Sequence, residues 1–261
     1  MSSPTWTPES LSSELRPYTG RRHVWRLADS QSVASTRKLV DSFAERDILE
    51  ALVDDSKPPV PSDCQGLDPL LTRPFRYAPY PKGSRFRRSG PTPGVYYAAE
   101  ERRTAVAETA FYRLLFFAES PDTPWPANPL EFTGFSVEVG SHHSLDLTKP
   151  PFEADAPVWR HPVEYAPCQD LADTARKAGA EILRYASARD RGACVAVLTC
   201  RAFAETWPRN FETWRIGVTH SGAYAFREFQ PGPEGCLPER IEFDRNAFAS
   251  DPRIAAMRWE R

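Results

Sequence analysis

The 261-residue sequence has only 13 glycines and five cysteines, and no excess of either charge. Glycine is below its usual share of ~7%, so even with 26 prolines the chain stays short of the Pro- and Gly-rich range of disordered segments. The cysteines (Cys64, Cys168, Cys194, Cys200 and Cys236) are odd in number and contain no CxxC pair. That pattern predicts neither a disulfide framework nor a structural zinc site, and sets a reduced, cytoplasmic protein as the expectation. The longest apolar run near position 115 is Leu114-Leu115-Phe116-Phe117-Ala118, far below the ~18 residues of a membrane span. The N-terminal stretch MSSPTWTPESLSSELRP shows no basic region followed by an apolar core, hence no visible signal peptide. Lys+Arg 33 against Asp+Glu 35 gives a net charge of −2, which argues against a non-specific nucleic-acid binder.

Familiar catalytic signatures are missing as well. There is no P-loop, no GxGxxG and no GxSxG elbow. His142 and His143 lie near Asp146, but no HExxH or HxxxH spacing supports a metal. Kinase, classical hydrolase and dinucleotide-fold readings are therefore disfavoured, and no metal is assigned.

What the sequence does contain is a mixture of helical and strand patterns without regular alternation. That predicts a single α+β domain, a mixed sheet flanked by helices. Residues 33–54 and 100–120 carry helical periodicity, and 169–188 reads as a further helix. Residues 23–27, 94–99, 133–140 and 193–199 read as strands, and 213–229 as a hairpin turning at His220-Ser221-Gly222. Residues 1–21 read as a loosely tethered arm, and Phe75, Tyr77 and Tyr80 as extended segments broken by prolines. A domain over 22–205, with insertions at about 30–72 and 109–180, is followed by a C-terminal extension, 206–261, packed on the same domain.

Three places carry chemistry. Lys82-Gly83-Ser84-Arg85-Phe86-Arg87-Arg88 puts four cations in seven residues, suited to a phosphate or carboxylate, or equally to a solvated loop. Glu108 has small or apolar neighbours on its helix, and a half-buried carboxylate is costly unless paired or used. Ser187, in Tyr185-Ala186-Ser187-Ala188-Arg189-Asp190-Arg191-Gly192, reads either as a donor to a ligand or as the end of a helix that Gly192 terminates.

These islands resemble, in order, the RES domain. The residues that carry the resemblance are Val24-Trp25-Arg26, Gly83-Ser84-Arg85-Phe86, Val95-Tyr96-Tyr97-Ala98-Ala99-Glu100, Thr104-Ala105-Val106-Ala107-Glu108 and Ser187-Ala188-Arg189, across roughly residues 22–202. The resemblance implies an NAD-degrading toxin of a bacterial toxin–antitoxin module, with a fold distantly related to ADP-ribosyltransferase toxins. It implies Glu108, Arg85 and Ser187 as catalytic residues and Arg26 and Tyr97 as NAD-binding residues, with Arg87 a rival of Arg85 and Tyr96 a rival of Tyr97. Glu108 would stabilise an oxocarbenium-like ribose, Arg26 and Arg85 would pair with the pyrophosphate, and Tyr97 would face the cationic ring.

On this reading NAD+ is substrate and no cofactor is needed, and inorganic phosphate is a candidate co-substrate. The acceptor stays open among water, phosphate and a protein side chain, the last making an ADP-ribosyltransferase; a non-catalytic NAD-binding module is the other alternative. The implied partner is an Xre-like helix-turn-helix antitoxin. Neither nucleic acid nor membrane is expected to bind directly, and a homo-oligomer is left open.

Overall fold

The computed structural model describes residues 5–30, 42–56, 58–76, 83–228 and 239–260. The first part of the helix expected over 33–54 and the residues Tyr77, Tyr80 and Lys82 lie outside them. The strands are β1 (His23–Asp29), β2 (Tyr96–Ala99), β3 (Leu130–Glu138), β4 (Ser144–Asp146), β5 (Ile182–Ala186), β6 (Ala193–Val197), β7 (Arg209–Thr219), β8 (Gly222–Arg227) and β9 (Arg240–Asp244). They form one nine-stranded sheet in the order β4-β5-β6-β2-β1-β3-β7-β8-β9. The β4–β5 pair is parallel and the other pairs are antiparallel. This is the mixed sheet expected from the sequence. The helices are α1 (Pro8–Glu14), α2 (Phe43–Asp55), α3 (Pro69–Arg76), α4 (Arg102–Glu119), α5 (Ala156–Trp159), α6 (Ala166–Lys177) and α7 (Pro252–Ala255).

Helix α4 organises one side of the sheet. Its run of good helix formers buries Val106, Ala110, Phe111, Leu114 and Phe117 against Trp214, Ile216 and Ala225 of β7 and β8. A second cluster joins Leu11 of α1 and Leu171 and Ala175 of α6 to Leu183, Cys194 and Ala196 of β5 and β6. On the opposite face Leu71 of α3 packs with Val24, Tyr96, Phe135 and Val195.

Four expectations are corrected. Residues 169–188 are not one helix: α6 ends at Lys177, Gly179 takes φ +87°, and 182–186 is strand β5. A left-handed residue stops a helix at little cost only when it is glycine, and Ile182, Leu183 and Tyr185 then fit the pleated sheet. Phe75 lies in α3 rather than in an extended segment. The described part of the N-terminal arm is not loose: Leu11 is fully buried, and Arg16 forms an antiparallel bridge with Ser144, the first residue of β4. Cys64 and Cys200 form a disulfide with Cα atoms 5.1 Å apart. Asp63 accepts hydrogen bonds from Thr199 Oγ1 (2.7 Å) and the Cys200 amide (3.3 Å), which docks the two short turns on each other. That proximity spans 136 residues and leaves no trace in cysteine spacing.

A buried ionic network ties the arm to the sheet. Arg184 on β5 donates from Nε and Nη2 to the two Glu100 oxygens at 2.7 and 3.0 Å, and the Tyr18 hydroxyl donates to Oε1 at 2.9 Å. Burial alone would raise the Glu100 carboxyl, but the Arg184 and Tyr18 hydrogen bonds outweigh it and hold the carboxyl below the usual range. A carboxyl lowered by folding contributes stability that is complete above the ordinary carboxylate range and is lost as pH falls through the folded value. Glu100→Gln is therefore expected to cost about 3 kcal/mol at neutral pH. In urea unfolding its gap from wild type should close at acid pH; a gap of the same size at pH 3 and pH 7 would contradict this account.

Candidate active site

The period of two along β2 separates the adjacent tyrosines. Tyr96 enters the core with Phe203, while Tyr97 packs in the cluster that contains Phe86 and Cys194. The Tyr97 hydroxyl shares a hydrogen bond with Ser84 Oγ (2.9 Å) and accepts one from the Phe86 amide (2.9 Å). Desolvation pushes this phenol up to about 12, so it stays a neutral donor and acceptor. It holds a tight hairpin in which the Ser84 and Arg87 backbones bond each other at 2.7 and 3.2 Å. Gly83 precedes the hairpin at φ +66°, where an added Cβ would meet the Arg87 carbonyl at 2.8 Å. Phe86 anchors the tip by packing edge-on against Tyr185.

Glu108 projects from α4 toward the end of β5. Its Oε1 accepts a 2.6 Å hydrogen bond from Ser187 Oγ, and Cys194 Sγ lies 3.8 Å from the same oxygen. Ser187 Oγ also accepts the amides of Arg189 (3.0 Å) and Asp190 (3.1 Å). With its proton directed at Glu108 and its lone pairs taken by the backbone, this fully buried serine is fixed in orientation. Glu108 Oε2 has no hydrogen-bond partner among the described residues, so the carboxylate presents one held oxygen and one open oxygen. Gly192 lets the loop approach α4, because a Cβ there would meet Thr104 Oγ1 at 2.1 Å. Thr104 in turn donates to Asp190 at 2.7 Å.

Two segments clamp the loop from outside. The Arg189 side chain is 2% exposed and lies 3.2 Å from Asp251, which is fully buried at the start of α7. The same Arg189 donates to the Pro162 carbonyl (2.9 Å), and its guanidinium lies 3.5 Å from the Phe111 ring centroid. Arg160 Nε donates to the Ser187 carbonyl at 3.2 Å. Burial would raise the Asp251 carboxyl, but Arg253 and Arg189 hold it low.

The structure brings Arg85, Tyr97, Glu108 and Ser187 to one face of the sheet. Arg85 Nη1 donates to the carbonyls of Trp159 (2.6 Å) and His161 (3.0 Å), and its guanidinium sits 4.8 Å over Tyr165. Arg26 instead lies with Tyr96, its guanidinium 4.7 Å from that ring and donating to the Tyr97 carbonyl at 2.8 Å. Arg87 reaches the Thr92 carbonyl at 3.1 Å. Arg88 is paired with Asp170 and Asp173 of α6. The cationic run thus works largely within the protein. Asp251, Arg160 and Tyr165 were not singled out from the sequence, and nothing in their local pattern distinguishes them.

Burial and the nearby Glu108 push the Cys194 thiol well up, and burial pushes the Cys168 thiol up. Neither is set up as a thiolate nucleophile. Among the described residues two groups have metal-ligand types, Asp63 with Cys64 and Cys200, and His23 with Glu138 and Glu205. The first contains the disulfide, and neither includes Glu108 or Ser187. No described helix is long and apolar enough to cross a membrane.

Asp251→Asn leaves a buried guanidinium without its anionic partner, with an expected cost of about 3 kcal/mol. Amide exchange at Arg189 and Asp190 should accelerate more than at the β7–β8 pair; uniform acceleration would mean that Asp251 does not specifically hold the loop.

No curated protein matches the chain. A chain in the crystal structure of the M. tuberculosis MbcT–MbcA toxin–antitoxin complex is similar, with 10% identity, a TM-score of 0.42 and coverage of 80% of this chain and 91% of that one. A family model described as the RES domain matches residues 62–227, the stretch that carries Arg85, Tyr97, Glu108 and Ser187. Because the matched stretch exceeds half of the chain, the protein belongs to the RES domain family.

Proposed function

We propose that the chain cleaves the nicotinamide–ribose bond of NAD+ and acts as the toxin of a bacterial toxin–antitoxin pair. The observation that carries the reading is the Glu108 carboxylate, held at Oε1 by Ser187 and open at Oε2. Heterolysis of the bond sends its electron pair to the pyridine nitrogen, so nicotinamide leaves neutral and the ribose C1′ becomes oxocarbenium-like. A preoriented anion beside C1′ stabilises that charge without reorganising when it forms. Glu108 Oε2 supplies the anion and an acceptor for a ribose hydroxyl. Ser187 acts through Glu108 as a positioning residue, since its own hydroxyl is already occupied. Tyr97 shapes the site by holding the Ser84–Arg87 hairpin, and Arg85 braces the 159–165 segment that faces it. The leaving group carries no negative charge, so the step calls for no metal.

Water completes the reaction by adding hydroxide to C1′ and releasing a proton; inorganic phosphate completes it by forming a C1′–O–P bond. Nicotinamide release measured with and without phosphate separates the two. Transfer to a protein side chain would instead show as a discrete labelled band when labelled NAD+ is incubated with cell extract. An Xre-like helix-turn-helix antitoxin is the partner this reading implies.

Glu108→Gln keeps shape and removes charge, and is expected to lower nicotinamide release about a thousandfold with an unchanged melting profile. Ser187→Ala, which frees the carboxylate but leaves its charge, should cost roughly tenfold to a hundredfold. Full activity in Glu108→Gln would remove the assignment.

A further inference from the structure

At one end of the sheet three chain segments bring together an imidazole and two carboxylates. His23 opens β1 and stands directly opposite Glu138, the last residue of β3. Directly opposed residues of an antiparallel pair project from the same face, with Cβ atoms ~5 Å apart. Glu205 arrives on the segment that leads into β7. That segment runs beside the end of β3, where Phe203 bridges Val139 and the Ala204 amide donates to the Glu138 carbonyl at 3.0 Å. One ligand atom from each of His23, Glu138 and Glu205 lies within 4.8 Å of the other two. The three positions are far apart in the sequence, so no spacing motif marks them.

The two acids are imperfectly compensated. Glu138 pairs with Arg22, and Glu205 Oε1 lies 2.7 Å from Arg209, but these arginine side chains are 70% and 65% exposed. Such solvated pairs contribute little. The carboxylates themselves are largely withdrawn from solvent, and Glu205 Oε2 is buried with no hydrogen-bond partner among the described residues. Two carboxylates gathered in one place repel each other, and a buried oxygen without a partner is costly. A bound dication removes both penalties.

We propose that His23, Glu138 and Glu205 form a binding site for a transition-metal dication of the Zn2+ type. One imidazole nitrogen with two carboxylate oxygens is a donor set for such ions, whereas Ca2+ and Mg2+ favour oxygen donors alone. Zn2+ bonds of ~2.0–2.2 Å draw the ligand atoms closer together than they stand here, and rotation of the exposed His23 ring supplies that movement. Three protein ligands leave the fourth tetrahedral position to water. The two carboxylates balance the charge of the ion once the imidazole is neutral, as ligation requires. The ion clips together the start of β1, the end of β3 and the entry to β7. None of Arg85, Tyr97, Glu108 and Ser187 belongs to the cluster, so the inference stands apart from the proposed reaction.

The test titrates the full chain, freed of metal with EDTA, with ZnCl2 and follows binding by calorimetry. Wild type is expected to bind one equivalent through this cluster. His23→Ala, at an exposed position, and the isosteric Glu205→Gln should each weaken that binding at least about a hundredfold, a scale that loss of outer-shell partners already reaches. Zn2+ should raise the melting temperature of wild type and leave that of His23→Ala unchanged. Wild type loaded with Co2+ should show ligand-field bands without a thiolate charge-transfer band. That spectrum separates this donor set from the cysteines and depends on no variant folding. The site is overturned by no Zn2+ binding in wild type, by unchanged affinity in His23→Ala, by a thiolate band, or by tighter binding of Ca2+ or Mg2+ than of Zn2+.

Discussion

The Ser187 hydroxyl is the joint on which the candidate site depends. A hydroxyl has one proton and two lone pairs; here the proton goes to Glu108 and the lone pairs receive the Arg189 and Asp190 amides. That arrangement fixes a loop, a strand end and a helical carboxylate at once. It also explains why so much of the surrounding structure converges on residues 187–191. Thr104 holds the loop from α4, Arg160 and Pro162 from the segment before α6, and Asp251 from the C-terminal region. Each is a polar contact in a partly or wholly desolvated place, where an unmatched group would be costly.

The arginines show how strongly packing governs chemistry in this fold. By composition the run Arg85–Arg88 looks like a ligand clamp. In the structure Arg85 braces two carbonyls, Arg87 reaches the Thr92 carbonyl, and Arg88 pairs with α6. Their charge consolidates the hairpin and helix that frame Tyr97 and Glu108. Arg160 and Arg191 instead line a cavity together with Glu242 and Asp244 of β9, which fall outside the matched RES span. The C-terminal region therefore contributes to holding the loop beside the candidate site, through Asp251, which pairs with Arg189.

Local signals in the sequence were readable where one physical tendency dominated. Helix α4 stood out because apolar residues recur at helical spacing through Leu114 and Phe117, and β6 because a short continuous apolar run reads as a buried strand. Glu108 was conspicuous as a carboxylate among small apolar neighbours. The 169–188 stretch reads as one helix because its strand residues continue an apolar pattern that a helix could also use, and only Gly179 marks the break. The disulfide, the Arg189–Asp251 pair and the buried arm depend on residues brought together across long separations. No periodicity records such contacts.

The sequence by itself determined the mixed strand–helix character, the RES resemblance and the prominence of Glu108 and Ser187, because propensity and residue type are local properties. Tertiary structure alone decided that Tyr97 packs with Phe86 and Cys194 while Tyr96 packs with Phe203 on the other side, since pleating sends neighbours to opposite sides of a sheet. It alone decided that Arg26 and Arg85 make contacts within the protein. Those outcomes depend on which hydrogen-bonding partners meet in the folded chain, and such meetings are fixed by strand order and packing rather than by any local run of residues.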